Sequence, residues 1–362
     1  MVINNEVIVK LKDGYGGQLP LFQRLIHPKT NLDTSVSPAL GAGPFEVIKH
    51  TSTSLELAPN PKWWGKKPNL EHVSLKVLSH DQALAEFLAG NLDAFDIAGR
   101  MDIRRLGNTN IERGSRIDHT LLQLNHKSAR LADESIRSAI AHGINRQELV
   151  EYVLADLSYE EKAVGSLTSY EYQSLYRDLI TDIIGETNPQ TANELLDNAG
   201  WRKWADGIRV KDGNQLRLKL IVAGDGPLIT GLRNILVQQL HNLGIIADAP
   251  EIKRAELSQV LADGNFDIAI RELAGTPQGC HYLASWYGEN GLFSASSGID
   301  QQLLAASVGK NSEVLAGEKL GLQQLWLLPI WNGLKLVATA PGLVNIGPTG
   351  FANPPKTEIG WK

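Results

Sequence analysis

The chain has little cysteine, no long apolar run and no strong excess of either charge, and each absence excludes a class of protein. Its single cysteine, Cys280, excludes an intramolecular disulfide and the cysteine clusters that bind zinc or iron–sulfur groups. The most apolar run, residues 325–331, is far shorter than the roughly 18 apolar residues of a membrane span. The 35 Lys and Arg residues nearly balance the 40 Asp and Glu residues, and the net charge of −5 provides no general attraction to nucleic acid or anionic lipid.

What is present is the composition of a globular protein. Hydrophobic residues make up 43% of the 362 residues and charged residues 21%, so the chain can bury a large core without disulfides or a structural metal. This composition excludes disorder as the main character of the chain. At about 150 residues per domain, the length predicts roughly two domains, with three as the alternative.

Segments with strand and helix periodicity alternate along the chain. Apolar residues at every second position predict a strand over residues 73–77. Apolar residues at helical spacing predict helices over residues 81–90 and 229–243, another that begins at Asp133, and another that ends at Gly200. This alternation predicts the α/β class.

One internal similarity favours two lobes of related design. Residues 88–94 and 261–268 both end an apolar-faced helix at a glycine and enter a strand through Asn, an apolar residue and Asp. The alternative is that unrelated helix–glycine–strand junctions commonly have such a sequence. Two lobes, around residues 40–120 and 130–325, would enclose a cleft, and small ligands commonly bind in clefts between domains.

The sequence contains no constellation typical of an enzyme. It has no His-Glu-x-x-His zinc motif and no Gly-x-Ser-x-Gly nucleophile motif. Residues 226–231 have the glycine spacing of a phosphate-binding loop, but Leu232 and Arg233 replace the required Lys and Ser or Thr, which favours a turn that opens a helix. Cys280 and His281 are adjacent, and neighbours on a strand point to opposite faces. We therefore predict no enzyme, no cofactor and no metal site.

Five motifs in order resemble the family 5 extracytoplasmic solute-binding proteins of ABC transporters, the oligopeptide-, dipeptide- and nickel-binding group. They are a Gly-x-Gly-Pro-aromatic strand entry, an Asn-x-x-Trp-Trp-Gly segment, a helix ending in Asn-Arg, an Ala-x-x-Leu-Leu-x-x-Ala-Gly-Trp helix and the hairpin after it. These lie at residues 41–47, 55–68, 133–146, 192–201 and 207–213. The resemblance covers about residues 1–350.

The resemblance implies an α/β, two-lobed periplasmic-binding-protein-like fold of the type II, family 5 architecture. We expect residues 41–122 with 328–362 to form lobe I and residues 123–327 to form lobe II. Members of the family usually carry further residues upstream, so residues 1–40 are expected to be the remnant of a smaller extra domain. The start of lobe I, most of that domain, and any signal peptide or lipid-attachment cysteine would lie upstream of this chain.

The ligand pocket of this chain departs from the pattern of peptide binders. In those members a Gly-Trp-x-x-Asp pattern follows the strand that resembles residues 266–270, and its Asp pairs with the peptide ammonium. Here Leu273 and Thr276 stand at the Trp and Asp positions, so the resemblance implies that this clamp is absent, with Glu272 as a candidate substitute. The candidate ligand-binding residues are Asn125, Arg271, Glu272, Leu273, Thr276 and Trp286.

Several of the aromatic and basic residues have structural alternatives. Core packing is an equal alternative for Trp286. Arg137 and Arg146 are candidate ligand-facing cations, but surface or inter-helix ion pairs are the favoured interpretation. For Trp63, Trp64 and Trp201, the resemblance favours packing over stacking on a ligand. These alternatives need the structure to decide between them.

The function implied by the resemblance is the receptor component of an ABC importer, a monomer outside the cytoplasm that binds a small solute such as a peptide. Its partners would be the membrane subunits of the transporter, without nucleic acid, and a lipid anchor is expected in the full-length protein. The alternative is the actinobacterial LpqW-type branch of the same scaffold, named as monoacyl phosphatidylinositol tetramannoside-binding lipoproteins. That branch implies a cell-wall role in glycolipid synthesis and no transport.

Overall fold

The computed structural model describes residues 2–3, 6–7, 41–97, 100–115, 118–155, 162–224, 226–275, 283, 286–287, 311–348 and 355–362. The strands are β1 (Val2–Ile3), β2 (Glu6–Val7), β3 (Phe45–His50), β4 (Ser54–Pro59), β5 (Val73–Lys76), β6 (Ala94–Ile97), β7 (Asn110–Ser115), β8 (Asp118–Leu124), β9 (Arg202–Lys203), β10 (Arg209–Lys211), β11 (Asn214–Gln215), β12 (Arg217–Ile221), β13 (Ile246–Asp248), β14 (Ile268–Ala274), β15 (Leu327–Trp331), β16 (Leu334–Thr339), β17 (Leu343–Val344) and β18 (Gly360–Trp361). The helices are α1 (His80–Leu88), α2 (Arg100–Leu106), α3 (Glu134–Gly143), α4 (Arg146–Leu154), α5 (Leu179–Ile184), α6 (Pro189–Asn198), α7 (Gly226–Asn242), α8 (Leu257–Ala262) and α9 (Asn311–Gln323).

The chain divides into two compact units. Unit 1 comprises Met1–Gly17 and Ile117–Gly333, and unit 2 comprises Gln18–Arg116 and Leu334–Lys362. The α/β class predicted from the alternating periodicity is confirmed, because strands and helices alternate through most of the described residues. Among those residues, no helix combines the length and the apolar character that crossing a bilayer requires.

A five-stranded mixed sheet forms the centre of unit 1, in the order β13-β12-β14-β8-β15. β12 runs parallel to both β13 and β14, whereas β8 runs antiparallel to β14 and β15. Leu121, Leu122 and Leu124 on β8 are all fully buried. Consecutive buried residues on a strand mean that both faces of the sheet are covered there, so β8 lies in the middle of the core.

The boundaries of the units depend on how β8 and β15 pair. The sequence predicted changes of lobe at residues 122/123 and 327/328, and that division stays a prediction. The compact units of the structure instead change at residues 116/117 and 333/334. β8 pairs with β14 from Asp118 to Leu124, and β15 pairs with β8, so both strands belong to the sheet of unit 1 along their length.

Helix ends in unit 1 follow local chemistry. α3 begins after Asp133, whose carboxylate accepts a hydrogen bond from the Ser135 amide at 2.9 Å. Just beyond the end of α6, Gly200 has a φ of +87°, a left-handed conformation that glycine adopts without strain. The predicted helix start at Asp133 and helix end at Gly200 are confirmed.

Arg209 on β10 connects α6, α7 and the hairpin in unit 1, and its side chain is only 1% exposed. Its Nη1 donates to the Asp197 carboxylate at 2.7 Å and to the Trp201 carbonyl at 2.5 Å. Its Nε donates to the Leu243 carbonyl at 2.7 Å, and its Nη2 donates to Asn193 Oδ1 at 2.6 Å. One buried guanidinium therefore joins segments that are distant in sequence.

Near the change from unit 1 to unit 2, His119 on β8 is held by contacts within unit 1. Its Nδ1 lies 2.7 Å from Asn332 Oδ1, and its ring stacks on Tyr170 with the ring centroids 4.8 Å apart. Burial lowers the pKa of His119 to about 4, against the weaker effects of Asn332 and Asp118. The neutral ring therefore donates to the amide oxygen at physiological pH.

Unit 2 contains two three-stranded sheets, β6-β16-β7 and β3-β4-β5, and the short pair β17-β18. α1 begins with a capping box in which Ser79 Oγ accepts from the Gln82 amide and the Gln82 side chain accepts from the Ser79 amide. Leu84 and Phe95 form a core cluster with Leu106 and Ala338. Here β16, from the end of the chain, lies between two strands from the first third.

Candidate functional site

The candidate site lies in unit 1 at the carboxyl ends of two parallel strands. β12 and β14 run side by side, with Leu220 opposite Ile268 and Ile221 opposite Ala269. The chain leaves β12 at Val222 and enters α7 at Gly226. In α/β sheets, ligands bind outside the carboxyl ends of the strands, where such connections leave a crevice.

A cavity of about 250 Å³ occupies this position, and we call it the unit 1 pocket. It lies among β8, α4, the end of β12, α7, the start of α8, β14 and β15. The described residues that line it are Thr120, Leu149, Val150, Val153, Val222, Ala223, Leu228, Ile229, Leu232, Arg254, Leu257, Ile270, Glu272, Ile330 and Trp331. Most of these side chains are aliphatic, so the pocket is largely apolar.

Strand alternation decides which residues of β14 face the pocket. Ile270 and Glu272 lie on one face, and Glu272 is opposite Thr120 in the register with β8. Arg271 and Leu273 alternate with them and therefore point to the other face of the sheet. The pocket thus receives one aliphatic and one acidic side chain from β14.

The acidic residue of the pocket is paired with the basic one. Arg254 Nη2 lies 2.5 Å from Glu272 Oε2. Their side chains are 72% and 36% exposed, whereas Val150 and Val222 deeper in the pocket are almost fully buried. The charged pair therefore lies at the solvent side of an apolar cavity, where its two charges compensate each other.

Arg271 and Leu273 lie away from the pocket. Arg271 is half-buried, and its Nη1 donates to Gln123 Oε1 at 2.8 Å. Burial lowers the pKa of Arg271 from its usual value. We predicted that Arg271 and Glu272 serve one site. Their side chains lie on opposite faces of the sheet, so they do not face the same pocket.

Asn125 is buried at the end of β8, and its amide bonds backbone groups. Its Nδ2 donates to the Phe266 carbonyl at 2.8 Å and to the Gly264 carbonyl at 3.2 Å. Its Oδ1 accepts from the Lys127 amide at 3.2 Å. These bonds attach the end of β8 to the segment that leads into β14, so the structure supports a structural role for this side chain.

The last two predicted ligand residues are Trp286 and Thr276. Trp286 is buried, with 5% of its surface exposed, which fits the core alternative stated for it. Thr276 lies outside the described residues. Of the predicted set, the structure places Glu272 in the unit 1 pocket.

The two arginines weighed as ligand-facing cations or ion-pair partners instead bind backbone carbonyls. Arg137 is buried and donates from Nη1 to the Leu131 carbonyl at 2.8 Å and from Nε to the Gln324 carbonyl at 3.1 Å. Arg146 Nη1 donates to the carbonyls of Val164 and Pro329. Burial lowers the pKa of both groups. These carbonyl contacts support a structural role for both arginines, and the ion-pair interpretation stays a prediction.

The tryptophans also divide between packing and exposure. Trp201 is buried, and the Arg130 guanidinium lies 5.4 Å from its ring centroid, which agrees with the predicted packing role. Trp63 and Trp64 contact each other with ring centroids 4.8 Å apart. Trp64 is nevertheless 84% exposed, so the packing interpretation does not hold for it.

Outside the pocket, Glu318 on α9 forms the centre of a buried polar cluster. Its carboxylate accepts from Ser166 Oγ at 2.9 Å, from the Leu167 amide at 2.5 Å, and from the amide and hydroxyl of Thr168. Burial raises its pKa, and the hydrogen bonds partly oppose that rise. Within the described residues, no group of three or more His, Cys, Asp or Glu side chains is arranged to hold a metal ion.

Sequence reasoning missed most of the pocket. Leu149, Val150 and Val153 on α4 have helical apolar spacing, and that spacing is the same for a helix that packs in a core and for one that lines a cavity. Arg254 gave no signal, because nothing in the sequence connects it to Glu272. The alternation of residues 270–273 could have identified the pocket-facing pair.

Comparisons with known proteins agree with this architecture. A family model described as "Bacterial extracellular solute-binding proteins, family 5 Middle" matches residues 4–293. The "Oligopeptide-binding protein OppA" of Mycobacterium tuberculosis is 26% identical over 368 residues, which cover 96% of this chain and 61% of that protein. This chain therefore spans about three fifths of the length of that relative.

Solved structures share the fold. NikA from Brucella suis in complex with Fe(III)-EDTA aligns with a TM-score of 0.73 and 20% identity, covering 89% of this chain and 68% of that one. Lactococcal OppA, complexed with an endogenous peptide in the closed conformation, aligns with a TM-score of 0.67 and 17% identity, covering 88% of this chain and 65% of that one. The predicted two-lobed solute-binding fold is confirmed at this level.

Proposed function

We propose that this chain, which belongs to the bacterial extracellular solute-binding proteins of family 5, is the receptor component of an ABC importer. It binds a small solute such as a peptide outside the cytoplasm and delivers it to the membrane subunits of the transporter. It has no catalytic role in this proposal, as a receptor needs none.

The observation that carries the proposal is the unit 1 pocket. A cavity of about 250 Å³ lies where an α/β sheet binds ligands, and Glu272, predicted from the resemblance, lies at its solvent side. A largely apolar pocket with few polar groups is typical of small-molecule sites. We propose that this pocket is a ligand site of unit 1.

A peptide is the proposed solute, with a recognition different from that of peptide binders with the Asp clamp. The Mycobacterium tuberculosis relative is named for oligopeptides, and the lactococcal structure holds a peptide. Because Leu273 and Thr276 replace the Trp and Asp of the clamp pattern, the peptide ammonium needs another partner or none. Of the predicted ligand residues, we retain Glu272, whose side chain lies in the pocket.

Thermal unfolding of the protein with added solutes tests the proposal. The solutes are a pool of short peptides, Fe(III)-EDTA and a mannosylated phosphoinositide, each tested alone. A ligand at 100 times its Kd stabilises the folded state by about 2.7 kcal/mol, or roughly 5–11 °C for a unit of this size. We expect the shift with the peptide pool. A shift with the phosphoinositide alone would favour the cell-wall branch instead, and no shift with any solute would refute the receptor role.

Neighbouring residues on opposite faces of β14 provide a matched pair of variants. Glu272→Ala should change the Kd for peptides by roughly two- to fivefold, because it removes the partner of Arg254 at the solvent side of the pocket. Arg271→Ala should leave the Kd within about twofold, because that side chain contacts Gln123 on the other face. Equal losses in both variants would contradict the assignment of the site to the pocket face.

A further inference from the structure

The chemistry of the unit 1 pocket indicates which part of a solute it binds, an inference that rests on the proposed function. Its inner walls come from aliphatic side chains of α4, α7, β12 and β15. Val150 and Val222 are almost fully buried there, as is Ile330. A charged group that entered would lose its water without gaining a partner from these walls, which is costly.

The size of the pocket fits a side chain and not a whole solute. Pockets that enclose a drug-sized ligand usually measure about 300–1,000 Å³, and the unit 1 pocket measures about 250 Å³. A dry apolar cavity of about 150 Å³ is already large enough for benzene. The pocket can therefore hold an aromatic or branched aliphatic group while the rest of the solute lies outside it.

The charged residues at the solvent side do not attract a charged group inward. Arg254 and Glu272 compensate each other at 2.5 Å, so a carboxylate or ammonium gains little net attraction at the entrance. The remaining polar side chain among the described lining residues is the hydroxyl of Thr120, apart from the indole of Trp331. An anionic chelate such as Fe(III)-EDTA would need an uncompensated cation, and the described lining residues provide none.

We propose that the unit 1 pocket selects an uncharged apolar side chain of a peptide, and that the compensated Arg254–Glu272 pair at its entrance gives charged side chains no net attraction. Selectivity then comes from the pocket. The apolar contacts in the pocket also provide part of the affinity that an ammonium clamp would provide. A peptide with Phe or Leu at the position that enters the pocket should bind more tightly than tri-alanine, by roughly 10- to 200-fold.

The first experiment measures peptide selectivity by isothermal titration calorimetry on the whole protein. The probes are tri-alanine and tripeptides with Phe, Leu, Glu or Lys at each position in turn. We expect Phe and Leu at one position to strengthen binding at least about tenfold over Ala, and Glu and Lys at that position to give no gain. Equal affinity for Ala, Phe and Glu at every position would overturn the proposal while leaving the receptor role intact. Binding of none of these peptides would instead remove the proposed function on which it rests.

The second experiment fills the pocket from α4. Val153→Phe places a larger apolar side chain into existing space, so it should keep or raise the Tm while reducing affinity for the Phe peptide by roughly 10- to 200-fold. Val77→Phe, at a position in unit 2 that is 70% exposed, is the matched control and should leave the Kd unchanged. Unchanged affinity in a folded Val153→Phe protein would contradict the proposal.

A third variant keeps the test decisive if Val153→Phe does not fold. Ile270→Ala enlarges the pocket from β14, so it should shift the preference from Phe toward the larger Trp side chain at the same peptide position. The Phe-to-Trp affinity ratio is compared with that of the unchanged protein. A ratio that does not move would show that the preferred side chain binds elsewhere.

Discussion

Replacing Arg209 by methionine should destabilise unit 1 more than any exposed arginine replacement. The guanidinium is 1% exposed and donates to the carbonyls of Trp201 and Leu243 and to the Asp197 carboxylate. Methionine retains an apolar stem of similar length, so it removes the donors while leaving little new empty space. The change therefore isolates the polar contacts.

The size of the expected loss of stability follows from the hydrogen-bond acceptors that lose the guanidinium. Trp201 and Leu243 are buried, and each carbonyl left unsatisfied costs about 1–3 kcal/mol. The Asp197 side chain is 39% exposed, so water can replace the guanidinium there and the loss is smaller. The expected destabilisation is about 3–5 kcal/mol, the range for breaking a buried ion pair from one side.

Scanning calorimetry measures this effect against a control with the same carboxylate. The Tm of unit 1 should fall by roughly 6–20 °C in Arg209→Met. Arg202, whose Nη1 lies 3.9 Å from Asp197 Oδ1 and whose side chain is 70% exposed, provides the control. Arg202→Met should cost less than about 1 kcal/mol, as exposed ion pairs usually do. If the two variants lost stability equally, the buried contacts of Arg209 would not carry the energy assigned to them.

Two further predictions concern buried polar side chains on β8 and just after its end. The pKa of His119 is about 4 in the folded chain and near 6.5 when unfolded, so protons favour the unfolded chain and stability should fall by roughly 3 kcal/mol from pH 6.5 to 4. Calorimetry across this range should give a flatter slope for His119→Gln, and an unchanged slope would contradict the assignment. Asn125→Ala should cost about 1–3 kcal/mol because the carbonyls of Gly264 and Phe266 lose a donor, with peptide affinity retained. Weaker binding without loss of stability would restore Asn125 as a ligand residue.

Features that depend on local chemistry were predicted well from the sequence. The carboxylate of Asp133 can cap a helix whatever surrounds it, and Gly200 adopts a left-handed conformation at little cost. The α/β class likewise follows from apolar periodicity, which each segment carries in itself. The resemblance to the family extended the prediction from single helices and strands to the whole fold, because the five motifs occur in the order in which the family has them.

The site was predicted less well, because it depends on which faces meet in three dimensions. In the sequence, Asn125 is a polar residue at the end of an apolar strand. Its hydrogen bonds to the Gly264 and Phe266 carbonyls form only in the folded chain, because these residues lie 139 and 141 positions away. Arg271 and Glu272 could have been separated by strand alternation. The ion pair between Arg254 and Glu272 could not have been predicted from the sequence, since no local pattern joins the two positions.

The position of β16 has a consequence for how the chain folds as it is made. β16 pairs with β6 on one side and with β7 on the other, so the central strand of that sheet is synthesised roughly 220 residues after β7. At a synthesis rate of about 5–20 residues per second, roughly 10 to 45 s pass between the synthesis of β7 and that of β16, which joins β6 to β7. During that time Ile117–Gly333, the larger segment of unit 1, is synthesised and can fold. The sheet β6-β16-β7 is therefore completed only after unit 1 has been made, and the unpaired edges of β6 and β7 are the part of the nascent chain most in need of protection from aggregation.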